Sequence, residues 1–382
     1  MKQLKLPYQI CTKTVIDSTL PDVTFDKDGI SSVYWDFQNN VKPNWFPNEK
    51  GHKILETYVD QIKKSAKNKD FDCILGLSGG VDSSYMLHTM VKEYGLRPLV
   101  FHVDGGWNSE MAVNNISKLV DKLNLDLFTE VINWNEMRDF QLAWFKSGVP
   151  HIDIPQDHAF GAVLYKFSDK YNIKYILNGG NIATECVIMP YKYYYWGTDL
   201  VHIRDIIKKF GTIPMKTYPF SSVYRHKIYQ KYIKGMKVLK PLNFMPYSKN
   251  LAIETLEKEY GWKSYGQKHF ESRFTRFYEG YWLPTRFNFD VRRNQLSSLI
   301  LTCQTTREES LEALKKPSYD PELLKQDLEF VATKLGISPD ELDHYHKMDL
   351  KFYWDYKNDH KKLNFLEKVI TFLNLGRRGG AF

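Results

Sequence analysis

The sequence predicts an open α/β fold, a mostly parallel sheet with helices on both faces, followed by a helical C-terminal region. Three observations carry this. Short apolar runs alternate with amphipathic ones from about residue 71 to 180. Three of those runs end in polar, glycine-bearing segments, and beyond about residue 245 the strand signal fades. Strands alternating with helices need crossover connections, hence parallel pairing. Ligands of such sheets bind beyond the carboxyl ends of the strands.

The elements follow in order. "CILGL" from residue 73 reads as a buried strand, and 83–94 as a helix with Met86, Leu87, Met90 and Val91 on one face. "PLVFHVD" is the second strand, with a helix near 109–123 after it. "LFTEVI" is the third, followed by helices around 135–146 and 157–170, and "KYILNGG" is the fourth. Further helices are predicted at 306–316, 321–335 and 362–374. Ser338 and Pro339 read as the cap and first residue of another. The organisation expected is an N-terminal segment (1–60), a sheet domain (61–245) and a mainly helical region (246–382).

Composition narrows the class. Of 382 residues, 43% are hydrophobic and 15% aromatic, which excludes a disordered chain. The N-terminus lacks the apolar core and cleavage site of a signal peptide, and no apolar run reaches the roughly 18 residues that span a bilayer. Cys11, Cys73, Cys186 and Cys303 are scattered, as expected of a reduced, cytoplasmic protein without a disulfide framework. The net charge of +8 is unevenly spread: residues 201–300 hold 19 Lys and Arg against 7 Asp and Glu. Such a segment suits an anionic ligand, whether nucleic acid, sugar nucleotide or phospholipid surface.

The stretch "LSGGVDSS" sets a glycine turn at the mouth of a helix. Unpaired N–H groups and the helix dipole favour an anion there, glycines permit close approach, and Ser78, Ser83 and Ser84 add hydroxyls. It is neither GxxxxGK[ST] nor GxGxxG. A carboxylate beside a phosphate cradle needs a neutralising cation, so Asp82 points to Mg²⁺, a hard ion that shares carboxylate and phosphate oxygens.

Ser78-Gly79-Gly80-Val81-Asp82-Ser83 resembles the PP-loop of the N-type ATP pyrophosphatases, among them the GMP, NAD and asparagine synthetases. Those enzymes split ATP between its α and β phosphates, adenylate a carbonyl oxygen and displace AMP. The resemblance implies that residues 78–84 hold pyrophosphate, with Asp82 on Mg²⁺ and Ser83 in the catalytic set. "NGGNIATE" is similar to a later family segment, which implies Gly179 and Asn181 at the nucleotide and Glu185 as second metal ligand. "VFHVDGGWNSE" lies where relatives contact adenosine, implying His102 and Asp104.

Further segments, above all "HFESRFTRFYEGYWLPTRFNFDVRR", resemble the N-acetyl sugar amidotransferases of bacterial surface-polysaccharide pathways, including O-antigen and nonulosonic acid synthesis. The likeness runs over nearly the whole chain. It implies conversion of an acetamido group on a nucleotide- or lipid-linked sugar to an acetamidino group. Adenylation makes the amide oxygen a leaving group, and ammonia then adds. Nothing resembles a glutaminase, so the family pattern implies a separate glutaminase subunit. Lys268, His269 and Glu271 are assigned to catalysis, and Arg273, Arg276 and Arg286 to the substrate's anionic groups. The competing reading of this segment is an aromatic cluster with arginines paired to Glu271 and Glu279.

Relatives often carry two CxxC pairs near the N-terminus; here "CTKT" and "ISSVY" stand in their place, so structural zinc is not expected. Packing by Tyr34, Trp35 and Phe37 is expected to hold this segment instead. Two other functions stay open: a tRNA-modifying PP-loop enzyme whose basic segment follows RNA, although nucleic acid is not the expected partner, and an inactive nucleotide-binding scaffold.

Overall fold

The computed structural model describes residues 7–266 and 270–372. Five parallel strands form one sheet in the order β3-β2-β1-β4-β5. They are β1 (Cys73–Gly76), β2 (Pro98–Asp104), β3 (Leu127–Val131), β4 (Tyr175–Leu177) and β5 (Lys237–Leu239). Ile74 lies opposite Leu99 on one side and Ile176 on the other, so β1 is central. The chain runs outward from β1 to β3 and then returns to β4 on the other flank. The order therefore reverses at β1, and a crevice opens between the carboxyl ends of β1 and β4, where open α/β sheets bind ligands. The four strands read from the sequence are present. β5 is an addition: three residues on the sheet edge, flanked by lysines, too short and too polar to stand out.

Helices α1 (Ser32–Asp36) and α2 (Glu49–Ser65) precede the sheet. α3 (Val81–Lys92), α4 (Glu110–Lys122), α5 (Trp134–Ser147) and α6 (Ile154–Lys170) alternate with the strands. The single turn α7 (Ile182–Glu185) follows β4, and α8 (Leu200–Phe210) and α9 (Lys249–Tyr260) flank β5 in sequence. Alternate residues of β1 serve opposite faces. Leu75 packs with Leu55 of α2, Met86 of α3 and Leu256 of α9, whereas Ile74 packs with Phe140, Trp144 and Val163 of α5 and α6. Both boundaries expected at residues 60 and 245 are thus crossed by packing: α2 and α9 bury their apolar faces in the core of the sheet.

The C-terminal region comprises α10 (Arg273–Phe277), α11 (Leu283–Phe287), α12 (Arg292–Leu301), α13 (Arg307–Lys315), α14 (Pro321–Leu335), α15 (Pro339–Lys347) and α16 (His360–Phe372). Ser338 caps α15 as its sequence suggests, its hydroxyl accepting from the Glu341 N–H at 3.1 Å. Buried Trp107, Phe274, Phe277 and Trp282 form the centre of this region, and Cys11, Ile16, Leu20 and Val23 join the same cluster. Polar bonds add to that hold: Arg307 Nε donates to the carbonyls of Cys11 and Thr14, and Arg293 pairs with Asp17 at 2.9 Å. Of the three aromatics expected to hold the N-terminal segment only Phe37 is buried; Trp35 is 43% exposed. No described helix is long and apolar enough to cross a membrane.

Candidate functional site

The turn after β1 is built to present N–H groups. Gly79 has φ +85°, which favours glycine. Its carbonyl is drawn outward by two donors, Trp262 Nε1 at 3.2 Å and Tyr265 Oη at 3.0 Å. Ser78 Oγ lies 3.2 Å from Ser83 Oγ and accepts from the Gly80 N–H at 3.2 Å, closing the loop over the start of α3. Gly179 lies against that helix start: a Cβ on it would sit 3.1 Å from Ser83 N and 3.3 Å from the Asp82 carbonyl carbon. The ends of β1 and β4 therefore meet at van der Waals distance.

A cavity of about 210 Å³ opens over this turn, bordered by Ser78, Gly80, Val81, Asp82, Ser83 and Gly179, and across from them by Glu185, Lys249 and Glu271. Asp82 is oriented by Asn181 Nδ2 at 3.0 Å and by the Tyr247 hydroxyl. Burial, and next the Asp82 charge, push the Tyr247 phenol well above its ordinary pKa, so it stays a donor. Glu185 also raises it, which puts both predicted metal carboxylates around one tyrosine. Two carboxylates, one in the hydroxyl-lined anion cradle and one across the cavity from it, fit a hard divalent cation shared with phosphate oxygens. Asn181 works at one remove, holding Asp82 and capping α7 through Thr184 N at 2.9 Å.

A second cavity, about 340 Å³, shares Ser78 and Glu271 with the first. Phe101, His102 and Asn108 line one part of it. His102 Nδ1 lies 2.8 Å from the Leu77 carbonyl and Nε2 2.9 Å from the Asn108 amide. That pairing assigns the proton to Nδ1. Asp104 turns back on its own loop, accepting from Gly106 N at 2.8 Å, and borders another cavity beside α4, which shares His102 and Asn108 with the second. A third space, about 590 Å³, shares Lys249 with the first and is bordered by Arg292, Gln295, Lys316 and Tyr319.

Several assigned residues stand elsewhere. Ser84 is 1% exposed and its hydroxyl has no partner among the described residues, so it faces the core and not the cradle. Arg273 and Arg276, expected on substrate, both pair with the fully buried Asp327, at 2.6 and 2.5 Å. Their partner is thus neither Glu271 nor Glu279. Arg286 donates to the carbonyls of His346, Met348 and Asp349 at the end of α15, a helix-capping role. Lys268 and His269 lie outside the described residues. Glu271 is at the cradle, 3.4 Å from the Ser78 hydroxyl. Sequence reasoning missed Tyr247 and Lys249. Their signal was the cap Ser248 between them, which turns the chain into α9 with Lys249 at its first position.

Residues 271–370 match the family described as "LPS biosynthesis protein WbpG-like, C-terminal domain". The surface-polysaccharide likeness read from the sequence is met there. No curated protein matches the chain. Among solved structures, the NH3-dependent NAD synthetase from Campylobacter jejuni is 16% identical, covering 79% of this chain and 98% of its own, with a TM-score of 0.29. NMN synthetase from Francisella tularensis is 13% identical (56% and 92% covered, TM-score 0.29). NAD+ synthetase from Burkholderia pseudomallei is 15% identical (61% and 97% covered, TM-score 0.27).

Proposed function

We propose that the chain is an ATP-dependent amidotransferase that adenylates the acetamido oxygen of an N-acetylated, nucleotide- or lipid-linked sugar and replaces that oxygen with nitrogen from ammonia, releasing AMP and pyrophosphate. The observation that carries this reading is the cavity in which a glycine cradle, Asp82, Glu185, Lys249 and Glu271 face one another. The match of residues 271–370 to a lipopolysaccharide-biosynthesis domain supports the sugar class.

The roles follow from the chemistry. The N–H groups at the start of α3 and the hydroxyls of Ser78 and Ser83 bind the leaving pyrophosphate, and Lys249 adds positive charge on the opposite wall. Asp82 and Glu185 hold Mg²⁺, which supplies charge neutralisation when bound. Tyr247 and Asn181 keep Asp82 aimed at it. The nucleoside lies toward His102. Glu271, on the border of the two cavities, faces the point where the acceptor's amide oxygen meets the α-phosphate. The acceptor's own phosphates suit the space beside Arg292, Lys316 and Lys249. Ammonia comes from a separate glutaminase subunit. Cys186 and Cys73 are poorly suited to a thiolation chemistry: burial pushes Cys186 up to about 11 and raises Cys73 further.

The test is pyrophosphate release from ATP and Mg²⁺ with ammonium chloride, against a panel of nucleotide-linked acetamido sugars and bulk tRNA. Release that depends on one sugar, with a product about one mass unit lighter as NH replaces O, is the expected result. Stimulation by tRNA alone overturns it.

A further inference from the structure

The second cavity has a feature that the nucleotide does not use. His151 is 6% exposed, and neither ring nitrogen has a hydrogen-bond partner among the described residues. It borders the cavity together with Asp153, Asp157, Glu279, Tyr194 and Tyr278, and no lysine or arginine among the described residues lines that space. The ring packs in a triangle with two tyrosines, 4.7 Å from Tyr194 at 43° and 5.7 Å from Tyr278 at 17°, the tyrosines lying 6.0 Å from each other. Asp157 Oδ2 approaches His151 Nε2 to 3.3 Å, and the Asp157 side chain is half exposed, at the mouth. Tyr194 donates to Glu279 at 3.1 Å, its phenol kept protonated first by burial and then by the Glu279 charge.

Carboxylates, tyrosine faces and a buried imidazole beside a half-exposed carboxylate suit a small cation that can donate hydrogen bonds. A divalent metal fits less well, because no group of three His, Cys, Asp or Glu among the described residues converges to ligate one. We propose that this part of the cavity is the ammonium site of the enzyme, with His151 as the proton acceptor that converts ammonium to the nucleophile. The inference rests on the amidation reading above. Ammonium gives one proton to His151, and Asp157 stabilises the imidazolium formed. The nitrogen lone pair of ammonia then forms a bond to the imidate carbon, and the carbon–oxygen bond to AMP breaks. AMP leaves with that electron pair, and the product is the amidinium ion. The two cavities share Ser78 and Glu271, so the space beside His151 opens toward the border at which the acceptor is adenylated.

Thallium(I), an ammonium mimic of similar size, tests the site without any acceptor. Crystals of the full chain soaked in thallium(I) acetate are expected to show an anomalous peak between His151, Asp157 and Glu279, and Asp157→Asn is expected to remove it. Asp157 is half exposed, so this variant folds even where His151→Gln fails to. No peak in the wild type, or a peak unchanged by Asp157→Asn, overturns the site. With the acceptor that supports pyrophosphate release, Asp157→Asn is expected to raise the KM for ammonium about tenfold while leaving acceptor-dependent ATP–pyrophosphate exchange unchanged. An unchanged ammonium KM overturns the delivery role. If no acceptor supports exchange, the amidation reading fails, while the thallium result still decides whether a cation binds.

Discussion

The turn at residues 78–84 and the segment at 270–293 are both dense in polar side chains, yet they use them oppositely. In the turn, Asp82 faces a cavity and is steadied by neutral donors, Tyr247 and Asn181. In the segment, the charges are turned inward: Asp327 neutralises Arg273 and Arg276, and Arg286 closes a helix end. A carboxylate steadied by uncharged donors keeps its charge available to a ligand. One already paired with two guanidinium groups has little left to offer. Density of charge and aromatics is therefore no measure of a binding site; what matters is whether the partners are already inside the fold.

The sharpest way to break this contrast is Asp327→Ala. It leaves two partly buried guanidinium groups uncompensated and is expected to cost about 3–5 kcal/mol in urea unfolding, with pyrophosphate release by the folded fraction retained. Lost turnover at undiminished stability would return the arginines to the substrate.

Asp82→Asn is the mirror experiment. It is expected to lower acceptor-dependent pyrophosphate release by about 10³-fold with the melting temperature held, because Asn keeps the bond to Tyr247 but not the charge. Wild-type-like rates in the folded variant would remove Asp82 from the metal.

Gly179→Ala sharpens the geometric half of the contrast. Its Cβ would press on Ser83 N and the backbone of Asp82, and about 1–3 kcal/mol of strain is expected. It should be read as weaker ATP binding by calorimetry, with acceptor binding unchanged.

The smallest effect concerns a buried group in neither region. His202 is 1% exposed, and burial lowers its pKa to about 4. In the unfolded chain it titrates near about 6.5. Above that value both states are neutral and its contribution to stability is whole. As the pH falls, the unfolded state gains the proton first, so about 1.4 kcal/mol is lost by about pH 5.5. His202→Phe should flatten that part of the stability–pH curve.

What could be read in the sequence followed from whether its cause was local. β1, α3 and the glycine turn are dictated by residues within one turn of each other, and so were legible. The contact of Gly179 with the start of α3 depends on β4 lying beside β1, a strand order that the sequence did not give. The roles of Arg273 and Arg276 were not legible, because their partner lies 54 and 51 residues away in α14. Tyr247 was missed for the same reason: its hydroxyl meets Asp82 across 165 residues. Ser84 was misread because the helical turn that exposes Ser83 carries the next side chain around to the core.

The clamp on the Gly79 carbonyl bears on how the protein is made. Its donors, Trp262 and Tyr265, follow the glycine by 183 and 186 residues. During synthesis the motif leaves the ribosome long before the residues that orient it, at roughly 5–20 residues per second. A nascent chain stopped short of residue 262 would carry the whole SGGVDSS sequence with the Gly79 peptide unclamped. Competence to bind nucleotide is thereby deferred until α9 has been made, and truncation after β5 should abolish it although every residue of the motif remains.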